Sequence, residues 1–385
     1  MGRILFAITA LAALLCASFF SMFTRRDEPT TRAGSGYSVT ELLGAPAGEG
    51  FSRVTDERSF AFPADHGPHA GFRNEWWYFT GNLETDRGRR FGYQLTFFRL
   101  ALSPRLSPRP SRWGAHEVYM AHFALTDMEG REFHSWERFS RVALGLAGAG
   151  GVPLTVHLDD WSATETGEHP WGVRLVAAER DAAIDLEVRS LKPVVLHGKK
   201  GLLRKGSASG NASYYYSFTR LATDGTIRVR GETFPVTGLT WLDREWTTSA
   251  LEQEQVGWDW FALQLDDGRD VMLYRMRRSD GSLDPWSSGT LVSADGTTRH
   301  LALADVRIDA VDWWLSPASG IRYPSRWRLL IPAGNLDLEI VPSLNRQELL
   351  TTFRYWEGAV KVKGLGEGSP GGVGYVELTG YGAKK

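Results

Sequence analysis

The chain has 385 residues, of which 42% are hydrophobic and 23% are charged, the balance of a soluble globular protein. Its formal net charge of −1 argues against a basic nucleic-acid-binding surface, so no nucleic-acid partner is expected. The length suffices for two ordinary domains, and 15 tryptophans with 42 glycines favour aromatic-lined strands joined by tight turns.

Residues 1–26 are predicted to be a signal peptide or a membrane anchor. Residues 4–23 carry no charge and are flanked by arginines, the pattern of an export segment, and they are long enough to span a bilayer. The protein is therefore expected to be periplasmic or secreted, and tethered to the membrane if this segment is not cleaved. Cys16 is either an ordinary residue of the segment or a lipidation site. Residues 27–58 follow as a flexible spacer.

The rest of the chain is predicted to be all-β, in two domains that span residues 59–233 and 234–385. Apolar and polar residues alternate along several segments, as they do in half-buried strands. Asp-Gly pairs supply hairpin turns, as at Asp267-Gly268 and Asp295-Gly296. Many short strands with few helical patterns indicate an antiparallel sandwich or barrel architecture.

Two stretches of the chain are similar to each other. The first starts with residues 75–79 and the second with residues 257–261. Each contains an aromatic pair, a Phe, a Leu four residues later, a glycine turn and a strand that ends at an arginine. A repeated pattern of this kind predicts two copies of one β unit.

The most informative motif is Trp241-Leu-Asp-Arg-Glu-Trp246, which Trp258-Asp-Trp-Phe261 follows. A carboxylate among indole rings loses hydration, so its pKa rises and it can hold a proton near neutral pH. The rings also form a large apolar surface and can stabilise a cation. The combination predicts acid chemistry on a large apolar, alkene-like ligand.

Trp241, Asp243 and Glu245 are the predicted catalytic residues. Alternate residues of an extended strand point to the same side, so we expect all three to face one cavity. Asp243 is the predicted acid, and Glu245 would share its proton or steer water. Both residues also have a structural alternative. Asp243 would form an ion pair with Arg244 or another arginine, and Glu245 would pair with Arg275 or Arg277.

Further side chains are predicted to contact the ligand. Each also has a structural alternative, which is packing for the aromatic rings and a hydrogen-bonded core position for the histidine. These candidates are Trp246, Trp258, Asp259, Trp260, Tyr215, Glu75, Trp76 and His122.

Six segments carry a family signal: Asn74–Leu83, Tyr119–Leu125, Tyr214–Ser217, Thr240–Trp246, Gly257–Gly268 and Tyr355–Gly358. Together they resemble the lipocalin-like proteins that group bacterial AttH with carotenoid 1,2-hydratase. The resemblance extends from about Phe60 to Tyr381 and implies two tandem lipocalin-like antiparallel β-barrels that meet at a shared interface. Some members are encoded beside ABC-transporter permeases, which implies such a permease as a partner.

The hydratase branch of this family implies a mechanism. A carboxylic acid protonates a terminal alkene, aromatic side chains stabilise the resulting carbocation, and water adds. The resemblance carries the acid over to Asp243 and retains Trp246, whereas Trp241 stands in place of a tyrosine. Leu242 and Arg244 replace the two histidines of that branch, so the chain is more similar to the AttH-like branch.

No cofactor and no metal ion are expected. The sequence His66-Gly-Pro-His69 supplies only two ligands of a metal site, and no nucleophile elbow, Walker A or dinucleotide-binding fingerprint occurs. Two functions stay open. The principal one is hydratase, lyase or isomerase chemistry on an isoprenoid- or lipid-like ligand. The alternative is a non-catalytic carrier of a hydrophobic ligand in the cell envelope, working with an ABC-transporter export system.

Overall fold

The computed structural model describes residues 37–38, 49–104, 115–167, 170–249, 251–252 and 254–382. The predicted export segment, its Cys16 and most of the predicted spacer lie outside these ranges. Within the ranges, no helix has both the length and the hydropathy that crossing a membrane requires.

The described residues form 24 β-strands and three short 3₁₀ helices, Ala64–His66, Leu303–Asp305 and Pro332–Gly334. The strands are β1 (Tyr37–Ser38), β2 (Asn74–Glu84), β3 (Arg90–Ala101), β4 (Glu117–Asp127), β5 (Glu132–Arg141), β6 (Ala147–Gly150), β7 (Thr155–Leu158), β8 (Trp161–Glu165), β9 (Gly172–Ala178), β10 (Ala182–Ser190), β11 (Val195–Leu196), β12 (Leu202–Arg204), β13 (Ala212–Val229), β14 (Glu232–Thr247), β15 (Gln255–Leu265), β16 (Asp270–Arg278), β17 (Ser288–Val292), β18 (Thr298–Ala302), β19 (Arg307–Leu315), β20 (Arg322–Ile331), β21 (Leu336–Pro342), β22 (Glu348–Leu349), β23 (Phe353–Gly364) and β24 (Gly372–Leu378).

The strands belong to two curled sheets that share one plan. In the first sheet, β2 to β5 form a meander, and the last strand, β14, returns to pair antiparallel with β2. In the second sheet, β15 to β18 form the matching meander, and β24 returns to pair antiparallel with β15. The prediction of two tandem antiparallel β-barrels is confirmed. The similar stretches 75–79 and 257–261 lie at equivalent places, in β2 and β15.

Large apolar side chains fill the inside of each curled sheet. They come from every second position of the strands, because successive side chains of a strand point to opposite faces. In the first sheet they include Trp77, Phe79, Phe91, Leu95, Phe97, Phe123, Trp161, Leu186 and Leu242. In the second sheet they include Phe261, Leu263, Leu273, Trp327, Leu329, Leu338, Ile340 and Val360.

The opposite faces of the central strands pack the two sheets against each other. The contact combines a separate apolar cluster, which includes Tyr78, Trp241 and Met272, with hydrogen bonds between the sheets. Gln264 of the second sheet, for example, donates to the backbone carbonyls of Thr219 and Thr240 in the first. The second half of β14, residues 240–247, is therefore buried on both faces.

Sheet membership changes between Thr247 and Gln255, whereas the sequence predicts a domain division at residue 234. The predicted division falls between β13 and β14, which pair along nearly their whole length. Local composition around Pro235 suggests a linker, yet this proline lies within β14, at a position paired with Thr226. The pairing of β14 with β2, distant in sequence, keeps β14 in the first sheet.

A buried ionic network closes one end of the first barrel. Glu75 is 1% exposed and accepts hydrogen bonds from Arg99 Nε (3.0 Å) and Arg244 Nη2 (2.7 Å), both of which are also buried. His69 Nδ1 lies 2.6 Å from the same carboxylate. Burial opposes ionisation of Glu75, but Arg244, His69 and Arg99 outweigh it and hold its pKa well below its usual range. Glu75, predicted as a ligand contact, instead anchors this network on the barrel-interior face of β2.

We expect Glu75→Gln to destabilise the protein by about 3–5 kcal/mol, because it removes the carboxylate that pairs with buried Arg244 and leaves buried Arg99 with Glu117 alone. The matched control is Glu84→Gln at the other end of β2. Glu84 is exposed and lies 3.6 Å from Arg90, so its replacement should cost less than about 1 kcal/mol. Urea unfolding of both variants measures the difference, and equal costs would contradict the structural role of the network.

Candidate active site between the two barrels

A cavity of about 990 Å³, counting the space at its mouth, lies between the two sheets. It lies outside both barrel interiors, which apolar side chains fill. Aromatic side chains dominate its lining: Trp76, Tyr78, Phe98, Tyr215, Trp258, Trp260, Tyr274 and Tyr355. The ionisable non-aromatic side chains in the lining are Lys205, Asp243, Glu245 and Glu377.

The alternation of β14 decides which of its residues reach the cavity. Asp243 and Glu245 line it, as their shared parity predicts. Trp241 has the same parity, and its indole donates to Asp243 from beside the cavity. Trp246, expected to line the pocket, has the opposite parity and belongs to the core of the first barrel. There its ring stacks on His69 with the ring centres 3.6 Å apart.

Asp243 is a carboxyl group enclosed by protein. Its residue is 3% exposed, and Oδ1 accepts hydrogen bonds from the Trp241 indole N–H (2.8 Å) and from the Ser217 hydroxyl. Arg244, its neighbour in sequence, points into the first barrel instead. Burial, with a contribution from the charge of Glu245, raises the pKa of Asp243 to about 7, although the hydrogen bonds oppose this rise. The group can therefore carry a proton near neutral pH.

A chain of hydrogen bonds holds Asp243 from behind. His197 Nε2 lies 2.6 Å from Ser217 Oγ, and His197 Nδ1 lies 2.9 Å from Thr290 Oγ1. Burial lowers the pKa of His197 to about 3, so the ring is neutral. Because Ser217 donates to Asp243, His197 donates through Nε2 and accepts from Thr290. The chain makes Oδ1 a fixed acceptor, and the Tyr215 hydroxyl also hydrogen-bonds to this carboxyl group.

Glu245, the predicted partner of Asp243, forms an ion pair with Lys205 rather than with Arg275 or Arg277. Lys205 also lies 5.5 Å from the centre of the Trp76 ring, within cation–π distance. Trp76, Lys205 and Glu245 thus form one connected part of the cavity wall.

The second barrel supplies the opposite wall. Trp258 and Trp260 line the cavity as predicted from their sequence, and the Trp260 indole donates to the Tyr215 hydroxyl (3.2 Å). Asp259, between them, was a candidate ligand contact. It points away from the cavity and pairs with Arg277 (3.0 Å) and the Tyr381 hydroxyl (2.9 Å), because neighbouring residues of a strand face opposite ways.

His122 does not line the cavity but contacts a residue that does. Its Nδ1 is 2.7 Å from the hydroxyl of Tyr355, which does line the cavity, and its Nε2 is 3.0 Å from Glu137 Oε1. The His122 side chain is fully buried and does not line the cavity. It therefore holds the Tyr355 hydroxyl in place by a hydrogen bond and makes no direct ligand contact.

Sequence reasoning missed Ser217, His197, Glu357 and Glu377. Ser217 ends the segment Tyr214–Ser217, which the family resemblance marked without giving Ser217 a role, and no local pattern marks His197. The relation of Ser217 to Asp243 arises from strand pairing. Glu357 lies in the segment Tyr355–Gly358, which the family resemblance did mark. Among the described residues, no group of three His, Cys, Asp or Glu side chains is arranged to hold a metal ion.

Two curled antiparallel sheets with an aromatic cavity at their shared face define a lipocalin-like protein with tandem barrels. The AttH-like family matches residues 53–381, and the chain belongs to that family. No curated protein matches the chain.

Solved structures agree with this assignment. A protein of Nitrosomonas europaea assigned as AttH shares 35% identity and a TM-score of 0.77, over 86% of this chain and 100% of its own. Kievitone hydratase from Nectria haematococca shares 16% identity and a TM-score of 0.64, over 86% and 98%. CghA in complex with Sch210972 shares 12% identity and a TM-score of 0.51, over 89% and 97%. The last two share the fold.

The raised pKa of Asp243 predicts a pH-dependent stability. The folded state retains this proton up to about pH 7, whereas the unfolded chain releases it near the ordinary value of 3.8. The stabilisation is therefore complete below about pH 4 and is lost as the pH rises through 7. Relative to Asp243→Asn, the wild type should lose up to about 4 kcal/mol between pH 4 and 8.

Thermal or urea unfolding of both proteins across this range measures the effect. The exposed Asp309→Asn variant is the control and should follow the wild type at every pH. A constant difference between the wild type and Asp243→Asn would show that the carboxyl group does not hold its proton in the folded state.

Proposed function

We propose that this protein uses Asp243 as a general acid on a large apolar, unsaturated ligand bound in the cavity between the barrels. The observation that carries the proposal is the position of this carboxyl: 3% exposed, lining an aromatic cavity, and fixed through Oδ1 by Ser217 and Trp241. A charged or strongly hydrated ligand would gain little from such a lining, whereas an isoprenoid- or lipid-like chain fits its apolar surface.

The arrangement supports protonation of a carbon–carbon double bond. The proton of the Asp243 carboxyl group adds to one alkene carbon, and the cation forms at the other. The ring faces of Trp76, Trp258 and Trp260 can stabilise this cation. Addition of water then gives a hydratase reaction, and loss of a neighbouring proton gives an isomerase reaction. A buried acid of matched pKa contributes about 10²–10⁴-fold to the rate of such a step.

The relatives support the same class of reaction. Kievitone hydratase shares the fold, and the Trp241–Trp246 segment resembles the acid-bearing segment of the carotenoid hydratase branch. Export, and a partnership with an ABC-transporter permease, stay predictions from the sequence. A carrier that binds its ligand without converting it is the alternative, since the aromatic cavity would suit a bound hydrophobic molecule equally well.

Incubation of the protein with an organic-solvent extract of its source cells in deuterium oxide tests this proposal. Protonation in deuterium oxide places one deuteron on carbon, and hydration adds the mass of one D₂O, so mass spectrometry separates the two products. We expect Asp243→Asn to lower product formation at least about 100-fold while the extracted ligand still binds.

Asp309→Asn is the control and should retain wild-type conversion. Equal conversion by the wild type and Asp243→Asn would remove Asp243 from the mechanism. A ligand that co-purifies with both proteins and never gains deuterium would identify the carrier instead.

A further inference from the structure

Two glutamates face the cavity region from the second barrel, on adjacent strands. Glu357 of β23 and Glu377 of β24 are directly paired in the antiparallel register, so their side chains leave the sheet side by side on the same face. Glu377 lines the cavity, and Glu357, which is 1% exposed, lies behind it. Like charges placed directly opposite each other destabilise a sheet, so the pair needs a physical explanation.

The hydrogen bonds around Glu357 indicate how its two carboxylate oxygens find hydrogen-bond partners. The Tyr78 hydroxyl donates to Oε1 of Glu357, while Oε2 is buried without a hydrogen-bond partner among the described residues. A buried carboxylate oxygen with no donor is costly. A proton held between the two glutamates removes both the repulsion and the unsatisfied oxygen.

The surroundings raise the pKa of both glutamates and so favour retention of a proton by the pair. Burial, together with the charge of Glu377, raises the pKa of Glu357. Burial, together with the charges of Asp243 and Glu245, raises the pKa of Glu377. The Trp258 indole and the charge of Lys205 oppose this rise at Glu377. The titratable groups that face the pair from the packed strands are Tyr78, Lys205, Asp243, Glu245, Tyr355 and Tyr375.

We propose that Glu357 and Glu377 share one proton and form a second acid–base site, in which Glu377 acts on the ligand from the wall opposite Asp243. Glu377 is the catalytic member because it lines the cavity, and Glu357 is a positioning residue that acts through it. The reaction assigned to Glu377 rests on the proposed function of Asp243, whereas the shared proton does not depend on it.

The step is balanced for hydration of an alkene. Asp243 gives its proton to one carbon, and the π electrons form the new C–H bond. A water oxygen bonds to the cationic carbon, and Glu377 in its ionised form takes the proton that this water releases. The glutamate pair then holds a second proton, which returns to Asp243 or to solvent. For isomerisation, Glu377 takes a proton from the carbon next to the cation instead.

The two groups lie on different barrels, which determines the geometry of addition. Asp243 belongs to β14 of the first sheet and Glu377 to β24 of the second, with the cavity between them. The proton and the water oxygen would therefore arrive at opposite faces of the double bond. A product of anti addition is the expected stereochemical result.

The shared proton can be tested without a substrate. Infrared spectra of protein labelled with ¹³C-glutamate separate protonated glutamates from Asp243. We expect a protonated glutamate band near neutral pH in the wild type. In Glu357→Gln the remaining Glu377 should titrate at a pH lower by about one unit or more, because the repulsion is gone and the amide donates in its place.

Glu84→Gln is the matched control, an exposed glutamate whose loss should leave the band unchanged. The wild-type spectrum decides the question even if a variant does not fold. Absence of a protonated glutamate at pH 7 would overturn the shared proton, and so would an unchanged titration of Glu377 in Glu357→Gln.

The catalytic role is tested with the deuterium assay. We expect Glu377→Gln to lower conversion at least about 100-fold, as Asp243→Asn does, and Glu84→Gln to retain it. Full conversion by Glu377→Gln alongside loss in Asp243→Asn would refute the base while the proposed acid stands. If the wild type converts nothing, the proposed function and the role of Glu377 in it fail together. The infrared spectra still test whether Glu357 and Glu377 share a proton.

Discussion

Burial of β14 on both faces is the constraint on which the rest of this structure depends. The strand pairs with β2 on one side and β13 on the other, while its two faces meet two different environments. Leu242, Arg244 and Trp246 enter the first barrel, where Arg244 must find a counter-charge at Glu75. Asp243 and Glu245 enter the cavity between the barrels. Successive side chains of β14 point to opposite faces, so one face contributes to a structural ionic network and the other to a site able to transfer a proton.

The site is a property of the pairing of barrels rather than of either barrel alone. Each barrel interior is filled by large apolar side chains, and the aromatic cavity lies instead where the outer faces of the two sheets meet. That boundary mixes tryptophan and tyrosine rings with carboxyl groups that have lost most of their hydration. Low local polarity raises the pKa of Asp243 and Glu377 and so enables proton transfer near neutral pH.

Sequence reasoning worked where an answer depends on neighbours along one strand. Strand parity placed Asp243 and Glu245 on one face, and the same rule explains why Asp259 turns away from Trp258 and Trp260. Trp246 was predicted to contact the ligand, but its side chain points to the face of β14 opposite to that of Asp243 and packs on His69. Ser217, His197 and Glu377 were missed, because their proximity to Asp243 depends on strand register and on contacts between separate segments rather than on a local motif.

The sequence by itself determined the all-β class, the repeated unit, the family and the acidic residue in its aromatic motif. These follow from alternation and local motifs, which are written along the chain. Only the tertiary structure decided that the cavity lies between the barrels, that Glu245 pairs with Lys205, and that two glutamates face each other on β23 and β24. Such relations depend on the register between paired strands and on how the two sheets stack, and neither is encoded in any short stretch of sequence.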